Sequence, residues 1–194
     1  MTKDEILTAA AQIFRQKGFH ASSMQDIAVA VNLQKASLYH HVSSKQEILL
    51  ALLDRALDLL TEHIEPISCH PAPADVKLRQ AMSTYLQDML DYRDLASVLL
   101  LEHRSLEPQY NARHIPRRDR FERLWRDMIQ EGIDQGIFTA TDPALASRYL
   151  LGILNWTITW YRPDGSLTPG ELSAQFSDLF LDGLLRRGGV SHGT

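Results

Sequence analysis

The stretch that decides the fold reads Met24-Gln-Asp-Ile-Ala-Val-Ala-Val31-Asn32-Leu33-Gln34-Lys-Ala-Ser-Leu-Tyr39-His40-His-Val42-Ser-Ser44-Lys45. Ser23-x-x-Asp26 just before it is a helix start signal, in which the hydroxyl accepts from a free N–H and the carboxylate reaches back. Met24, Ile27, Ala28 and Val31 then share one apolar face. Val31-Asn32-Leu33 is a three-residue turn. Residue 32 has to take a backbone angle that glycine adopts most easily and asparagine next. A short second helix follows, from about Gln34 to His40. Two short helices joined this way have helix-turn-helix geometry. The second helix carries Gln34, Lys35, Ser37, Tyr39 and His40, side chains that reach base edges or donate to phosphates. Lys45 opens the next helix, where an ammonium and free N–H groups together favour a phosphate.

Outward from this pair the chain reads as helix throughout. Thr2-x-x-Glu5 is a capping box, with Ile6, Ala10, Ile13 and Phe14 on one face and Gly18 placed to end the helix in the left-handed conformation. Ser44-x-x-Glu47 opens a long helix bearing Ile48, Leu49, Leu52, Leu53, Ala56, Leu59 and Leu60. Pro66, Pro71 and Pro73 mark a linker or bent connection. Helices are predicted near 75–92 and 94–104, then a loop from Ser105 to Pro116. A helix containing Phe121, Leu124, Trp125, Met128, Ile129, Gly132 and Ile133 stops at Gly136. Asp142-Pro143 caps a helix that is apolar nearly all round through Trp160. Thr168-Pro169-Gly170-Glu171 starts the last helix, which carries Leu172, Phe176, Leu179, Phe180 and Leu184 and is expected to end at Gly188-Gly189. The expectation is an all-α chain of about nine helices. Strand-type alternation, internal repeats and low-complexity segments are absent.

Composition narrows the function classes. The 194 residues are 44% hydrophobic, enough for a real core, and the net charge of −4 argues against a wholly basic nucleic-acid binder. Residues 1–50 hold five cations (Lys3, Arg15, Lys17, Lys35, Lys45) and four anions (Asp4, Glu5, Asp26, Glu47), a net of +1, so the remainder carries −5. The single cysteine, Cys69, excludes an internal disulfide, and with an N-terminus too charged for a signal peptide it points to the cytoplasm. The longest apolar runs, Leu95 to Leu101 and Tyr149 to Leu154, fall far short of the roughly 20 residues of a membrane span. His63, Cys69 and His70 have proline-broken spacing with no metal-site template. No catalytic elbow, phosphate loop or paired-carboxylate pattern stands out, so neither a metal, a cofactor nor an enzymatic activity is expected.

The segment Met24 to Lys45 resembles the signature of the TetR family of transcriptional regulators: an Ile-Ala pair, a turn, a small-Ser-Leu-Tyr core and a closing Ser44-Lys45. Asn32 stands where glycine is common and Val42 where phenylalanine is common. Both substitutions are tolerable, since asparagine accepts the same backbone region and valine keeps an apolar plug. The resemblance implies a DNA-binding head over residues 1–46 and a ligand-binding and dimerisation body over 47–194. It places Gln34, Lys35 and Ser37 at the major groove and Tyr39, His40 and Lys45 on the backbone, with Ser23 and Met24 also in the DNA-binding set.

The run Gly152-Ile-Leu-Asn155-Trp156-x-x-x-Trp160-Tyr161-Arg162-Pro163-x-Gly165 resembles the branch of that family that senses acyl-CoA thioesters. It implies an acyl-CoA or other small hydrophobic effector. Met89, Leu99, Trp125, Met128, Ile153 and Trp156 are the expected lining of its pocket, with Trp160 beside them and His103, Arg104, Asn155 and Arg162 as polar groups. The alternative for the aromatic stripe is core or dimer interface. Surplus apolar surface on the last two helices suits a four-helix interface between two copies. The resulting expectation is a homodimeric repressor on palindromic double-stranded operator DNA, released by its effector. The alternatives are a regulator without a small-molecule inducer and an acyl-CoA-processing enzyme.

Overall fold

The computed structural model describes residues 2–184. Nine α-helices make up this stretch: α1 (Lys3–Lys17), α2 (Met24–Ala30), α3 (Lys35–Leu38), α4 (Lys45–Ser68), α5 (Ala74–Asp91), α6 (Arg93–Ser97), α7 (Pro108–Asp134), α8 (Pro143–Trp160) and α9 (Pro169–Leu184). After α6 the chain passes through a π-helical turn, Val98–Glu102, and a 3₁₀ turn, His103–Ser105. The described residues contain no strand.

Local signals set most helix starts. Thr2 and Glu5 cap α1 reciprocally, as do Ser23 and Asp26 at α2. Thr168 and Glu171 exchange the same bonds at α9, and Asp142 accepts from the Ala144 N–H ahead of Pro143 in α8. Gly18 ends α1 at φ 80, ψ 157, a positive φ but not the left-handed helical region expected of it, with its N–H still bonded to Phe14 O. The stop expected at Gly188-Gly189 lies outside the described residues.

Prolines mislead the sequence reading twice. Pro66 lies inside the last turn of α4 and does not end it. The segment expected as loop from Ser105 to Pro116 is mostly α7, which begins at Pro108, where a missing N–H costs nothing, and runs through Pro116. An interior proline costs an isolated helix about 3 kcal/mol. Here contacts with α4 offset that cost. Buried His114 sets Nδ1 2.9 Å from Asp54 Oδ1, Arg117 Nε lies 3.3 Å from Asp54, and the Arg117 guanidinium pairs with Asp58.

The chain packs as two units: residues up to Glu62 together with Asp88–Phe121, and His63–Gln87 together with the chain from Glu122 onward. These are packing units and not the head and body expected from the family resemblance. The first has its core at Ile6, Phe14, Ile27, Leu38, Ile48, Leu49, Leu52 and Leu53, with α1 packed on α2 and α2 on α3, their apolar faces buried. The second centres on Tyr85, Trp125, Phe138, Leu150 and Leu154, with the Tyr85 and Trp125 rings edge to face at 5.6 Å. Buried Lys77 pairs there with Glu131 and donates to Ser68 O.

Candidate functional site

The turn between α2 and α3 has the geometry its sequence requires. Asn32 sits at φ 54 and is the sole non-glycine residue with positive φ among the described residues. Its N–H bonds to Val29 O, and the Leu33 N–H bonds to Ala28 O. Helix α3 is shorter than the expected span from Gln34 to His40. Gln34 is its N-cap and Tyr39 its C-cap. Only Leu38 of the helix is buried, and it anchors the element to the core. Gln34, Lys35, Tyr39 and His40 are exposed, with Ser37 half-buried among them. Five of the eight residues expected at DNA thus share one projecting tip. Polar donors on a short helix anchored by one leucine can enter a groove without disturbing the core.

The other three do different work. Met24 is buried in the core of the first unit. The Ser23 hydroxyl caps α2, accepting from the Asp26 N–H at 3.1 Å and donating to its carboxylate at 2.6 Å. Lys17, Ser23 Oγ and the Ser23 N–H, in that order, hold the Asp26 carboxyl down at about 2. Lys45, expected at a phosphate, turns inward. Its Nζ donates to the carbonyl oxygens of Phe19 at 2.7 Å and Ser22 at 2.6 Å, and it lies 4.3 Å from the centre of the Phe19 ring.

The residues expected at the effector are divided between the two packing units. Met89 and Leu99 line a space of about 10 Å³ in the first unit, room for one water at most. His103 and Arg104 fall in the 3₁₀ turn that follows the π-helical turn. Burial, then the charges of Arg104 and Arg118, pushes the His103 imidazole below its ordinary value, against the pull of two backbone hydrogen bonds. Trp125 and Met128 are packed in the core of the second unit. Asn155 is also committed there, as its side-chain oxygen accepts from the Tyr85 hydroxyl at 2.5 Å. Arg162 is exposed in the turn after α8.

Ile153, Trp156 and Trp160 do come together, but on an outward face. They line an apolar groove of about 870 Å³ between α8 and α9, with Arg148, Tyr149, Phe176, Leu179 and Phe180. Trp156 is 66% exposed, Tyr149 62% and Leu179 73%, while Leu150, Leu154 and Ile158 of the same helix face the core. The Trp160 and Phe176 rings meet edge to face at 6.3 Å. The even spread of apolar residues around α8 hid which side would be outside.

The helix-turn-helix is matched by a family model, "Bacterial regulatory proteins, tetR family", over residues 6–52. A second, "Tetracyclin repressor-like, C-terminal domain", covers residues 71–184, more than half of the chain. This chain is a member of the TetR family. Among curated TetR-family proteins it is similar to the HTH-type transcriptional repressor KstR2 of Mycobacterium tuberculosis, with 28% identity over 96% of this chain and 94% of KstR2. Among solved structures it is similar to the TetR-family regulator PfmR from Thermus thermophilus, at 38% identity and a TM-score of 0.84, covering 93% of this chain and 99% of that one. It is also similar to AibR, solved in complex with isovaleryl coenzyme A and operator DNA. There the identity is 27% and the TM-score 0.82, over 94% and 97% of the two chains. These relatives are regulators and not enzymes. Among the described residues no helix is long and apolar enough to cross a membrane, and no group of three or more His, Cys, Asp or Glu side chains could hold a metal.

Proposed function

We propose that this TetR-family chain is a cytoplasmic, homodimeric repressor that grips palindromic operator DNA with residues 1–46 and is released by an acyl-CoA-type effector bound by residues 47–194. The observation that carries the reading is the projecting tip of α3, where Gln34, Lys35 and Ser37 stand for base edges while Tyr39 and His40 flank them for phosphates. One such tip reads too few bases for specificity. Two of them, about 34 Å apart, read a palindrome. The exposed apolar face of α8 and α9 suits a second copy, which would set that separation.

The effector is assigned to the α8–α9 groove. Its volume is in the range of ligand sites, and its walls are mostly apolar with the Arg148 guanidinium available for an anionic headgroup. The acyl-CoA class is supported by the similarity to AibR, whose structure holds isovaleryl coenzyme A. A ligand in the pairing face changes the angle between copies and hence the gap between tips. It shifts the equilibrium only by its difference in affinity for the two arrangements.

The test is fluorescence anisotropy on a duplex carrying the palindrome nearest its own gene, with a panel of acyl-CoAs. Tyr39→Ala should weaken binding to every sequence, whereas Gln34→Ala or Lys35→Ala should change sequence preference by about 1–3 kcal/mol at the position read. At least one acyl-CoA should release the duplex. If none of the three substitutions alters binding, the assignment of the tip fails. If no acyl-CoA releases DNA, the effector class fails while the DNA-binding reading stands.

A further inference from the structure

An ammonium has three donors and no acceptor. Two of the Lys45 donors are taken by the carbonyls of Phe19 and Ser22, and the group's remaining side lies against the Phe19 ring face. No donor is left for a phosphate in this arrangement. Phe19 itself is buried, its ring edge to face with Phe14 at 5.3 Å, so the cradle is anchored in the core. The same Phe19 carbonyl accepts the Ser22 hydroxyl at 2.7 Å. Ser22 is followed directly by Ser23, the cap of α2, and the Asp26 that completes that cap is tied back to Lys17 of α1 at 2.7 Å. Partial burial pulls the Lys45 ammonium below its ordinary value while the charges of Asp26 and Glu102 pull the other way.

We propose that Lys45 is a positioning residue of the DNA-reading head: it pins the joint between α1 and α2 to the first turn of α4 and makes no phosphate contact of its own. The side chain joins residues 26 and 23 positions apart in sequence. The direction in which α2 leaves the joint, and with it the aim of α3, therefore follows the start of α4. Arginine keeps the charge but not the compact ammonium that fits two carbonyls and a ring, so charge alone does not preserve the role.

This inference rests on the operator-binding reading, and the wild-type chain in the same assay tests that reading separately. The full-length wild type, Lys45→Met and Lys45→Arg are titrated, across a range of salt concentrations, with the duplex bearing the palindrome and with a scrambled duplex. Far-UV circular dichroism and hydrogen exchange at residues 18–23 accompany the titrations. Both variants are expected to remain helical, to exchange faster at 18–23, and to bind the palindrome roughly tenfold more weakly. Their dependence of log affinity on log salt should equal that of wild type. A salt slope lower by about one in Lys45→Met, with Lys45→Arg close to wild type, would instead mark a phosphate contact and overturn the proposal. Unchanged affinity and exchange in both variants overturn it too. Should Lys45→Met not fold, the Nζ resonance of Lys45 in the wild-type chain decides. It should stay in place when either duplex is added, and movement of that signal with the DNA refutes the pin.

Discussion

At Asp26 one carboxylate holds three things at once: the Ser23 N–H at 2.8 Å, the Ser23 hydroxyl at 2.6 Å and the Lys17 ammonium at 2.7 Å. All three favour the charged form, so the folded value falls from 3.8 to about 2. Between those values the unfolded chain binds more protons than the folded one, so stability rises with pH across that window. The contribution is complete above the unfolded value and is lost as pH falls through about 2. Asp26→Asn should therefore be less stable than wild type at neutral pH, and its acid-unfolding curve should be flatter between pH 4 and 2 when followed by circular dichroism. Equal slopes for the two proteins would mean that the cap and ion pair do not persist in solution. Asn32 shows the same economy of local chemistry, since asparagine reaches φ 54 at less steric cost than other residues bearing a Cβ.

At the scale of elements, close packing is the constraint that the helical pattern does not reveal. Gly132 in α7 falls at helical spacing among apolar neighbours, where alanine would raise helix propensity by about 1 kcal/mol. In the fold the Phe138 ring lies directly over it, and an added Cβ would fall inside the ring's van der Waals surface. Phe138 is itself buried, and its N–H bonds to Gly132 O at 3.0 Å, so the ring has little room to retreat. Gly132→Ala should thus destabilise by about 1–3 kcal/mol despite the better propensity, measured by urea denaturation. Combining it with Phe138→Ala should cost less than the sum of the two single changes. Additive costs would show that the ring moves aside freely. The π-helical turn at Val98–Glu102 is another feature of this scale, because i→i+5 bonding has no strong local code.

For the whole molecule the deciding surface is the outward face of α8 and α9. Trp156 projects from it, and burial of such a side chain against a second copy would make it a hot spot. If two copies pair through this face as proposed, Trp156→Glu should leave the far-UV spectrum intact, sediment as monomer in analytical ultracentrifugation where the wild type sediments as dimer, and weaken operator binding by on the order of a hundredfold. A dimer that survives this substitution would remove the α8–α9 face from the pairing model, and the spacing of the two tips would then need another origin.

Much of this architecture was legible in the residues alone. Caps at Thr2, Ser23, Asp142 and Thr168, the turn at Asn32 and the order of helices all follow from chemistry confined to a few consecutive positions, where backbone donors and side-chain acceptors are already neighbours. The exposed tip of α3 followed for the same reason, because a short helix with one buried leucine can point its polar residues only outward. Tertiary structure alone decided the rest. It carried α7 through Pro116 by pairing His114 and Arg117 with Asp54 and Asp58, some 60 positions earlier. It turned Lys45 toward two carbonyls more than 20 positions away. It also chose which side of α8 meets water, for a helix apolar around its circumference carries no directional signal until its neighbours have taken their places.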